Sequence, residues 1–291
     1  LRESEIATLI EWVDQGAGWP TSPHPTGADG AGLFSQSQKS YWAFQPIRSP
    51  QPPVAATGHR ILSPVDRFLI ASLKQQRLSP APPADKPTLL RRVTFDLLGL
   101  PPTPDEIRSF LADASPGAFD RVVDRLLSSP HYGQRWGRHW LDVARFVETV
   151  GPSGQAVMPS AWRYRDYVIG AFNADKPYDE FVIEQLAGDL LSASPDQIAE
   201  RTIATGFLMF GPKPIAEQDK EKLVLDLIDE QIDVTGRVFL GLTIACARCH
   251  DHKFDPIPTR DYYSLAGIFY STKTLRSRDP TRWMEWELDV P

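Results

Sequence analysis

Apolar side chains along this chain recur at three- and four-residue intervals, the spacing that gathers them on one face of a helix. The pattern predicts helices over residues 3–14, from Ser63-Pro64 through Leu73, and over residues 88–98, 104–113, 117–128, 131–149, 162–173, 178–191, 195–205, 217–240 and 259–270. A proline follows a capping hydroxyl at Ser63-Pro64, Thr103-Pro104 and Ser194-Pro195, which marks three of these starts independently of periodicity. No alternating segment longer than four residues argues for a strand. The expected fold is all-α: an irregular multi-helix domain over residues 61–275, preceded by a long linker.

That linker, residues 21–60, is where the pattern lapses. Thr21-Ser22-Pro23-His24-Pro25-Thr26-Gly27 and the proline-rich run of residues 50–57 nucleate helices poorly. Tyr41-Trp42-Ala43-Phe44 interrupts the run and is expected to pin it to the folded body. Over 291 residues, 42% hydrophobic content with 10% aromatic supplies a full core. A formal net charge of −6 argues against general nucleic-acid binding. No apolar run approaches the roughly 18 residues of a membrane span.

The chemistry concentrates in one pentapeptide. The two cysteines of the chain stand in Cys246-Ala247-Arg248-Cys249-His250, the C-x-x-C-H attachment sequence of a c-type haem. Two thioethers would hold the porphyrin edge and His250 would ligate the iron. Such attachment takes place outside the bacterial cytoplasm, so a periplasmic or cell-surface location is expected, with an export signal upstream of Leu1. Two rival chemistries share the spacing. Thiol–disulfide exchange normally places C-x-x-C at the start of a helix after a strand, whereas here a long helix precedes it. Zinc would need two more ligands, for which His250 and His252 are candidates.

Several segments resemble the second Planctomycete-type cytochrome c domain, found in large exported bacterial proteins. They are Leu90-Arg91-Arg92-Val93-Thr94-Phe95-Asp96-Leu97-Leu98-Gly99-Leu100-Pro101-Pro102, Ser129-Pro130-His131-Tyr132-Gly133 with Arg138-His139-Trp140-Leu141-Asp142, Tyr164-Arg165-Asp166, Gln185-Leu186-Ala187-Gly188-Asp189-Leu190-Leu191, and Cys246 through Asp255-Pro256. Residues 1–20, with Trp12-Val13-Asp14-Gln15-Gly16-Ala17, look like the tail of a preceding cytochrome c domain. Residues 276–291 would begin the connection to a following one. The resemblance implies haem c and export but no particular reaction. Where relatives tend to read Arg-Tyr-Ala-Asp-Thr, this chain has Arg145-Phe146-Val147-Glu148-Thr149, and the loop of residues 151–160 behind it also departs from the pattern.

A second axial ligand could come from His24, His59, His131, His139, His252, Met158, Met209 or Met284. His139 is the best placed, on the shoulder of a stripe of Trp136, Trp140, Val143, Ala144 and Val147 whose tryptophans could wall a haem-sized cavity. Met209 is the next candidate. Arg135, Arg145, Arg165, Arg248 and Tyr164 are candidate partners for the haem propionates, with solvated or helix-paired arginines as the alternative. Asp251, His252 and Asp255 suit either a cation or a turn held by side-chain hydrogen bonds, and Asp255 or His252 could orient His250. Asp226, Asp229, Glu230 and Asp233 read as the solvated face opposite Val224, Leu227, Ile228 and Ile232. The leading expectation is a one-haem electron-transfer module whose partner is a redox protein or an adjacent cytochrome domain. A haem enzyme with an open distal site, and a structural or polysaccharide-binding module built on the aromatic content, stand as alternatives.

Overall fold

In the computed structural model, which describes residues 3–15, 34–54, 61, 63–150, 156–192, 194–213 and 217–274, helices form wherever the apolar periodicity was sustained. In order they are α1 (Glu3–Asp14), α2 (Gln36–Lys39), α3 (Pro64–Gln75), α4 (Lys86–Leu98), α5 (Pro104–Ala112), α6 (Ala118–Leu127), α7 (Pro130–Val143), α8 (Ala161–Asn173), α9 (Tyr178–Ala187), α10 (Pro195–Ala204), α11 (Lys220–Thr235) and α12 (Thr259–Tyr270). The fold is all-α. Among the described residues the one sheet is a ribbon between α7 and α8, where β1 (Thr149–Val150) runs antiparallel to β2 (Ala156–Val157).

The serine–proline and threonine–proline starts behave as their chemistry requires. At α5 the Thr103 hydroxyl accepts from the Glu106 amide, and Glu106 returns a carboxylate to the Thr103 amide at 2.7 Å. The same reciprocal box closes at Ser63 with Asp66 and at Ser194 with Gln197. Helix ends follow a less visible rule. Helix α7 stops at Val143, not near residue 149, because Arg145 takes a left-handed conformation (φ 56°). The amides of Arg145 and Phe146 then return to the carbonyls of Asp142 and Leu141. This is the Schellman closure, ordinarily built on glycine. Helices α3 and α8 end the same way on Arg77 (φ 58°) and Asp175 (φ 49°).

Helix α4 packs against α5, α6 and α7, and α7 packs most extensively on α8. The α7 face turned inward is Gly133, Gly137, Leu141 and Ala144, with Trp140 at its edge. This corrects the expected stripe: Val143 is 49% exposed, and glycine carries the contact instead. A Cβ on Gly133 would sit 2.3 Å from the Ile169 carbonyl oxygen, so only glycine lets α8 approach this closely. The main core gathers around Tyr164, Val168, Phe207, Ile232 and Val234.

Within the expected linker, α2 and a single turn at Trp42–Phe44 are formed, while residues 16–33 and 55–60 lie outside the described residues. The aromatic island does not act as the pin. Tyr41 and Trp42 are 53% and 77% exposed, and the tie to the body is Gln38 Nε2 donating to the Phe254 carbonyl at 2.8 Å.

Candidate functional site

The C-x-x-C-H segment sits on a strap that leaves the end of α11. That helix runs into a wider π-helical turn, Gly236–Leu240, and Gly241 (φ 66°) then reverses the chain. Gly236 permits the crossing, since a Cβ there would meet the Leu242 carbonyl at 3.0 Å. The strap continues as a 3₁₀ turn, Ile244–Arg248, packed between α11 and α12. With three residues per turn, positions i and i+3 eclipse. Ile244 and Ala247 therefore both point inward and are buried, while Cys246 on the turn and Cys249 at its cap are both exposed.

His250 is exposed too, and its ring is oriented. Nδ1 lies 2.8 Å from the Asp251 carbonyl oxygen. A carbonyl can only accept, so Nδ1 is the donor, and in the neutral ring this tautomer keeps the lone pair on Nε2. The orienting group is thus the Asp251 backbone, not the Asp255 or His252 side chain that the sequence suggested.

His252 is buried and serves the loop. Its Nδ1 accepts from the amides of Phe254 (3.3 Å) and Asp255 (2.8 Å), which leaves Nε2–H to donate to Thr243 Oγ1 at 2.9 Å. The Asp255 carboxylate, 3.5 Å from the same Nδ1, is a neighbour and not a proton partner. Asp251 Oδ1 accepts the Thr259 amide that starts α12. This cluster is the side-chain-stabilised turn of the two expectations. Because both ring nitrogens of His252 are engaged, it has no lone pair left for zinc.

Arg248 fastens the strap to α11. Its guanidinium meets Asp229 at 3.1 Å and Asp226 at 3.5 Å, while Tyr263 donates to its carbonyl. Burial works against the charge on Arg248, but Asp229 outweighs it and the guanidinium is held above its usual value. Tyr262 donates to Asp229 at 2.6 Å, and burial first, then Asp229, pushes its phenol up. The acidic row of α11 is accordingly an anchoring row. Asp226 and Asp229 hold the strap, Glu230 holds Arg145, and Asp233 holds Arg237 at 2.7 Å. The solvated-face reading is corrected: these side chains keep only 19–28% of their exposure, because Arg145 and Arg248 from two other segments cover them together with Lys222 and Arg237 of the same helical run.

Of the proposed propionate partners, Arg145, Arg165, Arg248 and Tyr164 are engaged within the protein, whereas the buried Nε of Arg135 has no hydrogen-bond partner. Arg145 binds the Glu230 carboxylate and carbonyl, Arg165 bonds Asp166 and Glu148, and the buried Tyr164 hydroxyl donates to Gln185 Oε1 at 2.6 Å. The Arg135 stem packs over Gly99 at the end of α4. His139 is exposed, its ring edge-on to Trp136 at 5.5 Å. Trp140 faces the core instead, bonded to Tyr164 and Gln185 and packed on Phe181 and Phe239. The two tryptophans do not wall a common cavity around His139: Trp136 packs on Tyr132 and on the exposed His139 ring, while Trp140 is drawn into the core. His131 is exposed and pairs with Gln134. Met158 and Met209 line a cavity of about 820 Å³ together with Tyr164, and no residue of the C-x-x-C-H segment lines it. His24, His59 and Met284 lie outside the described residues.

Fold and site together define a helical domain that presents a C-x-x-C-H strap at its surface. Residues 64–274 match the family model PSCyt2, described as a protein of unknown function (DUF1549). The match takes in more than two thirds of the chain, which therefore belongs to this Planctomycete-type cytochrome c-related family. No curated protein and no solved structure matches the chain. Among the described residues no helix is long and apolar enough to cross a membrane.

Proposed function

We propose that this domain is an exported c-type cytochrome module, carrying one haem through Cys246 and Cys249 and passing electrons within a larger protein. The observation that carries the reading is the strap itself: two exposed cysteines, one on a 3₁₀ turn and one at its cap, followed by an exposed imidazole held through Nδ1 by the Asp251 carbonyl. That donor set fits a covalently held haem with a histidine ligand, and the group would supply a tethered iron centre that exchanges one electron at a time. Apolar side chains beside the strap suit a macrocycle as well. Leu240 is 61%, Phe254 70% and Tyr263 58% exposed, surface that a monomeric protein has reason to cover. The protein's own part is to hold His250 by the Asp251 carbonyl and to fix the strap on Asp226 and Asp229. The partner under this reading is an adjacent cytochrome domain or a separate redox protein.

The test is maturation in a periplasm competent for haem attachment. A haem stain is expected to stay with the denatured polypeptide, and to be lost when both Cys246 and Cys249 are replaced by alanine. Either single replacement should leave one thioether and a red-shifted α-band in the pyridine haemochrome spectrum. A polypeptide that never takes the stain would end the proposal.

A second reading, a haem with an exchangeable sixth position, is favoured by the placement of the described histidines and methionines. His131 and His139 face solvent, His252 has both nitrogens engaged, and Met158 and Met209 belong to a separate cavity. Electron paramagnetic resonance separates the two readings: low-spin iron supports transfer, and high-spin iron supports small-molecule access.

A further inference from the structure

The cavity lined by Met158 and Met209 opens between the start of α8, the turn after α9, the turn after α10 and the end of α12. We propose that it binds a small organic anion, with an apolar ring system on its floor and a carboxylate at its mouth. This site is separate from the haem reading and does not depend on it.

The buried lining residues form the floor: Met158, Ala161, Tyr164, Leu208 and Phe210, none more than 8% exposed. The one side-chain polar atom among them, the Tyr164 hydroxyl, is already bonded to Gln185 and Trp140. A ligand group resting there meets no unmet side-chain hydrogen bond, so apolar surface gains and a hydroxyl-rich sugar would lose its water without repayment. At about 820 Å³ the space lies within the range of small-molecule sites, roughly 300–1,000 Å³.

Charge at the mouth selects the head group. Arg163 and Lys273 line the cavity, and neither has a carboxylate partner among the described residues. Arg145, Arg165, Arg201, Arg237 and Arg248 each have one. The Arg163 guanidinium lies over the Trp162 ring at 4.9 Å, which holds it in place and leaves its donors to a ligand. Asp189, exposed on the same rim, sets one acid against two cations and can accept from a ligand hydroxyl. The balance favours a mono-anion, and the hydroxyls of Ser160 and Thr272 complete a polar collar.

Calorimetry on the full 291-residue chain with 2-naphthoate and its uncharged isostere 2-naphthamide tests this. Naphthoate is expected to bind about tenfold more tightly than the amide, the scale of one charge-assisted pair. Arg163→Gln should remove most of that preference and leave the melting temperature unchanged, and Lys273→Gln should remove less. Ser160→Trp, at an exposed position, should block both probes. Equal affinity for acid and amide, or unaltered binding in Arg163→Gln and Ser160→Trp, would overturn the assignment, as would failure of naphthoate to bind.

Discussion

The interior around α8, α9 and α10 and the strap after α11 are both rich in polar side chains, yet they treat them in opposite ways. Inside, Glu184 receives Tyr167, Lys176 and Arg201, and Gln185 Oε1 receives Trp140 and Tyr164. Both are buried and both have their acceptor oxygens satisfied, as low-dielectric surroundings demand. On the strap the polar groups that bear chemistry, two thiols and an imidazole nitrogen, are turned outward and left unbonded. Only the groups that hold the strap in place, Arg248, Asp251 and His252, are tied. A buried polar cluster with all partners present specifies one packing. A surface cluster with its partners withheld is available to something outside the chain.

Removing the hub of the inner network should produce the largest effect. Burial opposes the Glu184 charge, yet Lys176 and Tyr167 outweigh it and keep the carboxylate below its ordinary value. Glu184→Ala leaves Lys176 with only the exposed Glu200 and Arg201 with only the Ser192 carbonyl, and should cost about 3 kcal/mol in urea unfolding. Because the folded carboxylate is the stronger acid, its stabilisation is present above the ordinary carboxylate range and fades as pH falls through it. A loss under 1 kcal/mol would mean that the network is ornamental and the contrast with the strap is empty.

Lys213 is an interior cation without a carboxylate partner among the described residues. It is 6% exposed and donates to the Phe210 carbonyl at 3.2 Å. Burial, and then Arg145, pull its amine down to about 7. The unfolded chain keeps that proton up to the ordinary lysine value, so between pH 7 and about 10 the unfolded state binds more protons and stability rises with pH. The difference between wild type and Lys213→Met should shrink across that window by on the order of 3 kcal/mol, with the variant more stable at pH 6.5. Parallel stability curves for the two proteins from pH 6.5 to 10 would show that Lys213 reaches water.

How much of this was legible from residue order depends on whether the signal is carried by a side chain's chemistry or by its absence. Starts of helices were readable because hydroxyl–proline pairs have a local mechanism, and α5 and α10 begin where that mechanism puts them. The end of α7 was not, since Arg145 occupies a left-handed position usually announced by glycine. It is held there by Glu230, 85 positions away. The inward face of α7 was misread for a related reason. Periodicity counts tryptophan and valine as buried and glycine as neutral, whereas close helix contact needs the residue with no side chain. At the site, the pentapeptide itself was plain. What it rests on was hidden, because Asp226 and Asp229 look like any solvated row until Arg248 is brought over them.

The glycine contact gives a paired test of the interior at intermediate size. Gly133→Ala would place a methyl 2.3 Å from the Ile169 carbonyl and 2.7 Å from Asn173, forcing α7 off α8 at a cost of about 2–3 kcal/mol. Gly170→Ala, on the same helix pair, meets nothing within 4 Å and should stabilise by about 0.5–1 kcal/mol through helix propensity alone. Both are read from thermal melts, and equal effects would remove close approach as the reason for glycine at position 133.

The strap should show the smallest effects and the clearest division of labour. His252→Ala deletes the bonds to Thr243, Phe254 and Asp255 together and should cost about 1–2 kcal/mol. Because those bonds join the chain before the motif to the chain after it, the loss should appear first as faster proteolysis within residues 250–258. Cys246→Ala and Cys249→Ala remove exposed sulfurs with no bonded partner, so in protein lacking haem each should fall within about 0.5 kcal/mol of wild type. Both thiols of that haem-free protein should react readily with a disulfide reagent without prior unfolding. If alanine at position 246 destabilised as much as alanine at 252, the sulfur would be part of the packing, and an outward-facing strap kept ready for an external group would no longer describe this surface.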